Sequence, residues 1–374
     1  MENIHNNKNA SSLLQRILPT RLSQKLPAMF VLFAIMAGAT VGAIAIYKSS
    51  AELESSYQER MIAVTGAVHH EIKGYLDSIR SDLDFTASNP MVIQAVQDFD
   101  AAWDELGGNQ TEYLQRLYIE DNPHPTGSKD ELDAAADGST YSALHAAIHP
   151  WMRTFLRERE YYDIFFFDTD GNLLYTVFKE LDYATNLNTG KWKDSDLGVV
   201  FRDALALADS EVATFQDFEP YKPSFDAPAS FIGKQVVDNQ GKVVGVLVFQ
   251  MPISRINGVM QSATGIGETG ETFIVGADKL MRSDSRFSEE STILARTIDS
   301  EAITLAMEGK AGVVEQTVDG QGSAVMQTYQ PLDFEGTRWA IVAQVTRDEI
   351  EAPVIAMRND IIMNVIIASA VISL

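Results

Sequence analysis

Hydrophobic residues are concentrated in an uncharged run near the start of the chain. The run covers residues 28–47 (AMFVLFAIMAGATVGAIAIY), and twenty helical residues at about 1.5 Å each suffice to cross a bilayer core of about 30 Å. The leader before it, residues 1–27, has four basic residues and one acidic residue, which predicts a cytoplasmic leader. The tripeptide Ala43-Ile44-Ala45 is typical of a signal-peptide cleavage site, but the length of the run and of the leader favours an uncleaved transmembrane helix.

A helical pattern follows in residues 48–160. Apolar residues recur every three or four positions from Tyr57 to Leu83, and no proline interrupts them before Pro90. This period predicts a long amphipathic helix, after which the segment is helical and rich in loops. One apolar stripe is ordinary for packing against a domain, but a long stripe beside a membrane also predicts a parallel homodimer.

The C-terminal end is again uncharged. A helix is predicted from residue 347, with residues 347–360 forming an exit helix and residues 361–374 (IIMNVIIASAVISL) entering a second transmembrane helix that is truncated. A buried terminal helix of a complete protein is the alternative. The first interpretation implies the sensing portion of a longer, multi-pass receptor whose output domain is missing.

Between these runs, short strand patterns alternate with turn signals, which predicts two consecutive α+β modules with antiparallel sheets. The first module, residues 161–262, contains hairpins around Asp170-Gly171 and Asn239-Gln240-Gly241, with a predicted loop at 218–225. The second module, residues 263–346, repeats the plan and includes a predicted strand at Leu280–Ser283.

Composition excludes several classes of function. The chain has 52 acidic and 29 basic residues, a net charge of −23 and no cysteine. The acidic surface argues against nucleic acid as a partner, and the absence of cysteine excludes disulfide scaffolds, thiolate zinc sites and cysteine nucleophiles. No nucleophile elbow, Walker loop or kinase signature is present, so we expect neither catalysis nor a cofactor.

Three short motifs are similar to known binding motifs, but each has a simpler structural interpretation. Gly265-Ile-Gly267-Glu-Thr-Gly270 follows a helix and precedes a strand, the reverse of a dinucleotide site, and is predicted to be a turn. Asp168-Thr-Asp170-Gly171 lacks the spacing of a calcium loop and is predicted to be a hairpin turn. His145 and His149 have no third ligand of suitable spacing and are predicted to be solvated or capping histidines, so we expect no metal site.

Three longer segments carry a family resemblance: 161–187 (YYDIFFFDTDGNLLYTVFKELDYATNL), 218–257 and 267–287. They resemble bacterial methyl-accepting chemotaxis proteins with double-Cache sensor ectodomains. The resemblance implies a long N-terminal helix and two tandem PAS-like modules, the first membrane-distal and the second membrane-proximal, flanked by transmembrane helices. It also implies a bacterial inner-membrane protein with its ectodomain in the periplasm, signalling to cytoplasmic proteins through the missing domain.

Similar ectodomains occur on histidine kinases and nucleotide cyclases, which are the alternative outputs. A surface interaction protein without a ligand is a further alternative.

Cache modules that bind amino acids commonly have an Arg two residues before a Trp-Tyr pair. Here only Arg153 after Trp151, and Lys191-Trp192, are comparable. The ligand is therefore as readily an organic acid as an amino acid.

The mixture of aromatic and charged residues in the first module predicts the ligand site, because small-molecule pockets combine an apolar wall with a few fixed charges. The aromatic and charged residues predicted to contact the ligand are Tyr162, Asp163, Phe165, Phe167, Tyr175, Lys179, Asp182 and Tyr221. The charged residues are expected at the edge of a cavity. Arg282 and Asp284 mark a possible second site in the second module, and a structural Arg–Asp network is the alternative there.

Overall fold

The computed structural model describes residues 22–262, 265–319 and 322–373, and most of the predicted leader lies outside this part of the chain. The described residues form two compact units. The first contains the described parts of Met1–Arg60 and Val345–Leu374 together with the turn Gly267–Thr269. The second contains Met61–Ile266 and Gly270–Gln344, which include both sheets.

Eight α-helices are present in the described residues: α1 Leu22–Ala87, α2 Pro90–Glu105, α3 Gln110–Gln115, α4 Thr140–Arg159, α5 Asp196–Ala206, α6 Ile253–Ser262, α7 Glu301–Met307 and α8 Arg347–Ser373. The long helix predicted from Tyr57 to Leu83 is confirmed as part of α1. By length and composition, α1 is also the one helix in the described ranges that could cross a membrane. The predicted exit helix and residues 361–373 of the C-terminal apolar run form one continuous helix, α8.

In the first unit, small residues of α1 lie against α8. A Cβ atom at Gly42 would come within 2.8 Å of Ile361 Cγ2, so this approach requires glycine. The first turn of α8 is held by a second contact, because the Glu349 carboxylate accepts the backbone N–H groups of Glu268 at 2.9 Å and Thr269 at 2.8 Å. A Cβ atom at Gly267 would lie 2.0 Å from Glu349 Oε1. The glycine-rich motif is thus a turn, as predicted, and it binds a carboxylate of the chain itself.

The first module is a five-stranded antiparallel sheet of order β2-β1-β5-β4-β3. Its strands are β1 Asp163–Phe167, β2 Leu173–Thr176, β3 Thr214–Tyr221, β4 Ala227–Val237 and β5 Val243–Gln250. Both predicted hairpins are present. The first turns tightly because Asp168 Oδ1 accepts the N–H groups of Asp170 and Asn172, while Gly171 takes a φ of +90°.

The sheet buries both of its faces, since its strands alternate between two apolar clusters. We name the side covered by α1, α2 and α4 the helix face; Ile164, Phe166 and Ile232 contribute to its core. We name the other side, covered by α5, the cleft face; Phe165 and Phe231 belong to it. Helix α5 was not predicted from the sequence. The segment 218–225, predicted as a loop, instead completes β3 at Tyr221 and continues as the 3₁₀ turn Lys222–Ser224.

The second module is a four-stranded antiparallel sheet of order β6-β9-β8-β7. Its strands are β6 Glu271–Val275, β7 Gly312–Val318, β8 Ala324–Phe334 and β9 Thr337–Thr346, with α7 packed on one side. The predicted strand at Leu280–Ser283 is wrong, since only isolated bridges, Val275 with Met281 and Leu280 with Thr297, form there. The α+β class and the two tandem antiparallel modules are confirmed.

The apolar stripe of α1 is used within the chain itself. Met61, Val68, Ile72 and Ile79 are at most 5% exposed, and the last three belong to the main core. A stripe buried in this way is not available to a partner chain. The homodimer stays a prediction, and the exposed side of α1 is the part of this helix that could form it.

The two modules meet at an ion pair between a buried arginine and a partly exposed aspartate. Asp217 of β3 accepts Arg282 Nε at 3.1 Å and Arg282 Nη2 at 2.9 Å, and its Oδ1 also accepts Trp339 Nε1 at 3.0 Å. The rings of Phe215 and Trp339 pack edge to face beside this pair, with centroids 5.9 Å apart. Strand β3 therefore belongs to the first sheet and also forms the contact with the second.

Candidate ligand site in the first module

The structure divides the predicted site residues between the two faces of the first sheet. Phe165, Phe167 and Tyr221 lie in the core of the cleft face, whereas Tyr175 lies in the core of the helix face. These aromatic residues therefore cannot all line one cavity. Tyr162 lies at the rim with 37% of its surface exposed, and its hydroxyl donates to Glu180 at 2.9 Å.

The predicted charged residues are not at a solvent edge. Asp163 and Lys179 are 1% exposed and Asp182 is fully buried, so they are more deeply buried than the predicted edge of a cavity requires. Lys179 Nζ donates to the Val177 carbonyl at 3.0 Å and lies 3.3 Å from His149 Nε2, which belongs to the helix-face core. Burial lowers the pKa of Lys179 to about 7, although the nearby Asp163 carboxyl acts in the opposite direction.

The prediction of solvated or capping histidines is also wrong. His145 and His149 are both fully buried in α4, with their rings stacked at 4.4 Å between centroids. His149 Nδ1 lies 2.7 Å from the Tyr175 hydroxyl, and burial together with the positive charge of Lys179 lowers the pKa of His149 to about 2. Neutral imidazoles of this kind serve as hydrogen-bonding members of the core. No group of residues suited to hold a metal ion occurs in the described ranges.

Asp163 is the first residue of β1, and its two oxygen atoms have unequal surroundings. Oδ1 accepts three backbone N–H groups, those of Ile164 at 2.7 Å, Val177 at 2.9 Å and Phe178 at 3.1 Å. Oδ2 is buried and has no hydrogen-bond partner. Burial, reinforced by the nearby carboxyl group of Asp182, raises the pKa of Asp163 well above its ordinary value.

Asp182 repeats this asymmetry. Its Oδ2 accepts the Tyr221 hydroxyl at 2.5 Å, while its buried Oδ1 has no partner. Burial raises the pKa of Asp182 to about 7, and the hydrogen bond from Tyr221 limits the rise. Glu180 lies nearby and accepts hydrogen bonds from Tyr162 and Ser224. None of the salt bridges formed by the described residues includes Asp163, Glu180 or Asp182.

Gln250 joins the same group through the sheet register. It pairs with Asp163 on one side and with Phe231 on the other, and cross-strand partners point to the same face. Phe231 belongs to the cleft-face core, so the side chains of Asp163 and Gln250 also lie on that face. Gln250 is 2% exposed, and its Oε1 has no hydrogen-bond partner. The ring of Tyr221 contacts Phe231 in the same row, with centroids 5.0 Å apart.

A surface cleft of about 630 Å³ opens beside this group. Its lining residues come from the start of α5 and the end of β3: Lys191, Trp192, Asp194, Ser195, Asp196, Glu219, Pro220, Tyr221, Lys222 and Pro223. Tyr221 both lines the cleft and donates to Asp182, so Asp182 lies one hydrogen bond behind the cleft wall. Trp192 is fixed on the other side, since its Nε1 donates to the Leu181 carbonyl at 3.0 Å. The volume suits a small molecule.

The possible second site is occupied by protein partners. Besides Asp217, Arg282 pairs with Asp278 at 2.9 Å and is 3% exposed. Asp284 accepts Asn257 Nδ2 at 2.7 Å and the Ser291 hydroxyl at 2.8 Å. A ligand there would have to displace these contacts, so the geometry favours the structural network that was the alternative.

Comparison with known families identifies the fold. A family model described as a Cache domain, of the double-Cache type, matches residues 48–354, which are most of the chain. The chain belongs to the Cache domain family. Both sheet modules of this Cache domain lie within the matched range.

Individual relatives are more distant. The chain is similar to the probable chemoreceptor y4sI of Sinorhizobium fredii, with 22% identity over 348 residues that cover 92% of this chain and 42% of the relative. The chain thus spans less than half of that protein. It is also similar to the periplasmic sensory domain of the Campylobacter jejuni chemoreceptor Tlp1 (10% identity, 80% of this chain and 99% of that one, TM-score 0.48). A third similar chain is the extracellular domain named histidine kinase vpHK1S-Z8 (10% identity, 83% and 99% covered, TM-score 0.48).

Two residues of this site, Trp192 and Gln250, were not among those predicted to contact the ligand, whereas Glu180 belongs to the predicted mixture of aromatic and charged residues. Trp192 lies in the stretch between β2 and α5, which has no regular period. Gln250 could have been recognised, because it is a polar residue at the end of the buried strand pattern VVGVLVFQ. A polar side chain in a buried strand needs a partner, and such a position is a signal for a site.

Proposed function

We propose that the chain is the sensing portion of a bacterial inner-membrane chemoreceptor and that it binds a small molecule on the cleft face of its first module. The observation that carries this proposal is a set of three buried oxygen atoms without hydrogen-bond partners, Asp163 Oδ2, Asp182 Oδ1 and Gln250 Oε1. Buried polar atoms are almost always hydrogen-bonded, and leaving one unpaired costs about 1–3 kcal/mol. A ligand that supplies the missing partners would recover that energy.

The location of the cleft supports the same proposal. Tyr221 connects the cleft to Asp182, and four residues earlier on β3 Asp217 makes the contact with the second module. A ligand that moves Tyr221 would therefore act on the strand that joins the modules. A coupling energy of about 1–3 kcal/mol between two states is enough for a receptor of this kind.

The topology belongs to the proposal as well. Residues 1–27 are cytoplasmic, 28–47 span the membrane, 48–360 are periplasmic, and 361–374 enter a second span. The apolar composition of α1 supports this, as does the contact of α8 with Gly42. Reporter fusions at Asn109 and Asp319 test it: a periplasmic reporter should be active at both positions, and activity of a cytoplasmic reporter at either would contradict it.

The binding test is a thermal-shift screen of small metabolites on the full 374-residue chain in detergent. At least one compound should raise the unfolding temperature, and Tyr221→Ala together with Trp192→Ala should weaken its binding. If no compound from a broad screen raises the transition, the sensing role is wrong and a surface interaction protein becomes the better interpretation. The sequence that follows Leu374 in the full-length gene distinguishes a chemoreceptor from a histidine kinase or cyclase.

A further inference from the structure

The second sheet has a row of polar side chains on the face that α7 covers. Glu271 of β6 pairs in register with Gln344 of β9, and Gln327 of β8 pairs with Val314 of β7. Val314 belongs to the core cluster that contains α7, and so do the residues two positions away in β6 and β9. Cross-strand partners and alternate residues of a strand share a face, so the three polar side chains lie together on this face. All three are buried.

The hydrogen bonds along this row run in one direction. Glu271 Oε1 accepts Gln344 Nε2 at 2.8 Å, and Gln344 Oε1 accepts Gln327 Nε2 at 2.9 Å. Carboxylate oxygen atoms only accept hydrogen bonds, so Gln344 has to present its NH₂ group to Glu271 and its oxygen to Gln327. Turning the Gln327 amide around would bring two oxygen atoms together. The carboxylate therefore determines that Gln327 Oε1 stands at the far end of the row.

That far end is the one place in the row where an acceptor lacks a donor among the described residues. Gln327 Oε1 is buried and has no hydrogen-bond partner. The acidic end is satisfied, because the second oxygen of Glu271 accepts the Ser285 hydroxyl at 2.6 Å. Buried polar atoms are almost always hydrogen-bonded. The missing donor should be uncharged, since a cation buried against a neutral amide would not be compensated.

The first module has the same arrangement of an acid and a glutamine. Asp163 and Glu271 are the first residues of β1 and β6, and both strands pair with the last strand of their module. Their cross-strand partners are Gln250 and Gln344. The next strand differs, because an aromatic residue of β4 lies beside Gln250, whereas Gln327 of β8 contacts Gln344. The second module thus repeats the position of the first site, but its acceptor without a partner is a neutral amide.

We propose that the second module has a binding site of its own at Gln327, for a small uncharged amide. An amide nitrogen has two N–H groups, and Gln327 Nε2 uses one of them for Gln344. A ligand amide can therefore donate to Gln327 Oε1 and accept the second N–H, which gives a pair of hydrogen bonds. This site is separate from Arg282 and Asp284, which are occupied by protein partners. The inference goes beyond the proposed function and does not depend on the site in the first module.

The test is a titration of the full chain in detergent with formamide, acetamide and propanamide, which increase in size. N,N-dimethylacetamide is the matched probe without an N–H group. We expect at least one of the three amides to raise the unfolding temperature in a saturable way, whereas N,N-dimethylacetamide should not. The concentration dependence of the shift then gives the dissociation constant.

The variants Gln327→Met and Gln327→Asn change the acceptor in two ways. Methionine replaces the amide by an apolar side chain of similar length and leaves Gln344 as the end of a shorter row, so we expect this variant to fold. Asparagine keeps the amide but withdraws its oxygen. Each should bind the amide at least about tenfold more weakly, which corresponds to about 1.4 kcal/mol. Gln316→Met is the matched control in the neighbouring strand β7, where the glutamine is exposed, and it should bind like wild type.

Three results would overturn the inference. The first is that none of the three amides gives a saturable shift, in which case water is the partner of Gln327. The second is equally tight binding in both Gln327 variants and in Gln316→Met. The third is binding that is lost in Tyr221→Ala and kept in Gln327→Met, because the amide would then bind in the first module. The metabolite screen with Tyr221→Ala and Trp192→Ala tests the proposed function separately, so either proposal can fail without the other.

Discussion

Asp217→Ala should weaken the contact between the two sheet modules more than any other single carboxylate change there. The substitution removes the acceptor of two Arg282 nitrogens and of Trp339 Nε1. Arg282 is 3% exposed and Trp339 is 1% exposed, so water can reach the freed donors only from the side of Asp217, whose side chain is 24% exposed. Both donors are held in place by neighbouring atoms and cannot turn to a new partner without disturbing the core.

The expected loss follows from what each donor keeps. Breaking a buried pair by removing one partner costs about 3–5 kcal/mol when the remaining charge is left alone. Arg282 is not left alone, because Asp278 at 2.9 Å and the Leu280 carbonyl at 3.0 Å remain. The free energy lost at Arg282 is therefore below the range of about 3–5 kcal/mol. The unpaired indole N–H of Trp339 adds about 1–3 kcal/mol. We expect a total of about 3 kcal/mol, which lowers the unfolding midpoint by roughly 6–12 °C in a unit of this size.

The measurement is thermal unfolding of the full chain in detergent, followed by tryptophan fluorescence. Asp217→Asn should lie between wild type and Asp217→Ala, since the amide oxygen still accepts one donor. Asp333→Ala is the control: Asp333 forms the same kind of pair with Arg338, but on the surface, where ion pairs contribute little. If Asp217→Ala unfolds within 2 °C of wild type, or if Asp333→Ala is just as damaging, the contact does not have the role that its burial indicates.

Three further predictions concern other parts of the chain. The unfolding temperature should fall as the pH rises from 6 to 8, because Asp182, faced by Tyr221, Glu180 and Asp163, has a pKa of about 7 in the folded chain and ionises there against the cost of burial; a transition that does not move would contradict this. Gly42→Ala should lower the unfolding temperature, since its Cβ atom would clash with Ile361. Gly66→Ala, whose Cβ atom would have no neighbour within 4 Å, should raise the unfolding temperature slightly, and the reverse order would refute the contact between α1 and α8. If the chain is a homodimer through α1, single cysteines at the exposed positions Ala63, Ala67, His70, Gly74 and Asp77 should cross-link between chains in membranes, and cysteines at the buried Ile72 and Leu76 should not.

The sequence was sufficient for the order and type of most elements, because their signals are local. The period of α1 depends on residues that are close together in the chain, and so do the turns around Gly171 and Gly241. The signal of strand β7, which follows α7, is local in the same way. Helix α5 and strand β3 were missed because polar and charged surface positions interrupt their apolar residues. Local patterns of that kind are weak on their own.

The site was only partly predictable for a different reason. Which face of a sheet a residue joins depends on register, and β1 carries apolar residues on both faces, so Phe165 and Phe166 look alike in sequence but lie on opposite sides. Lys179 and Asp182 lie in the irregular stretch after β2, where no register or period indicates which face a side chain joins. The partners of Asp163, in contrast, include the backbone N–H groups of Val177 and Phe178 directly after β2, which no side-chain pattern reveals.

The carboxylate of Glu349 in the glycine turn has a consequence for the design of fusion proteins. The turn at 267–269 and the first turn of α8 are far apart in sequence, yet Glu349 joins them through Glu268, Thr269 and the Thr269 hydroxyl. A Cache domain cut before Glu349 would leave those donors to water and free the start of α8. A fusion made after Glu351 would transfer the complete contact to the new protein.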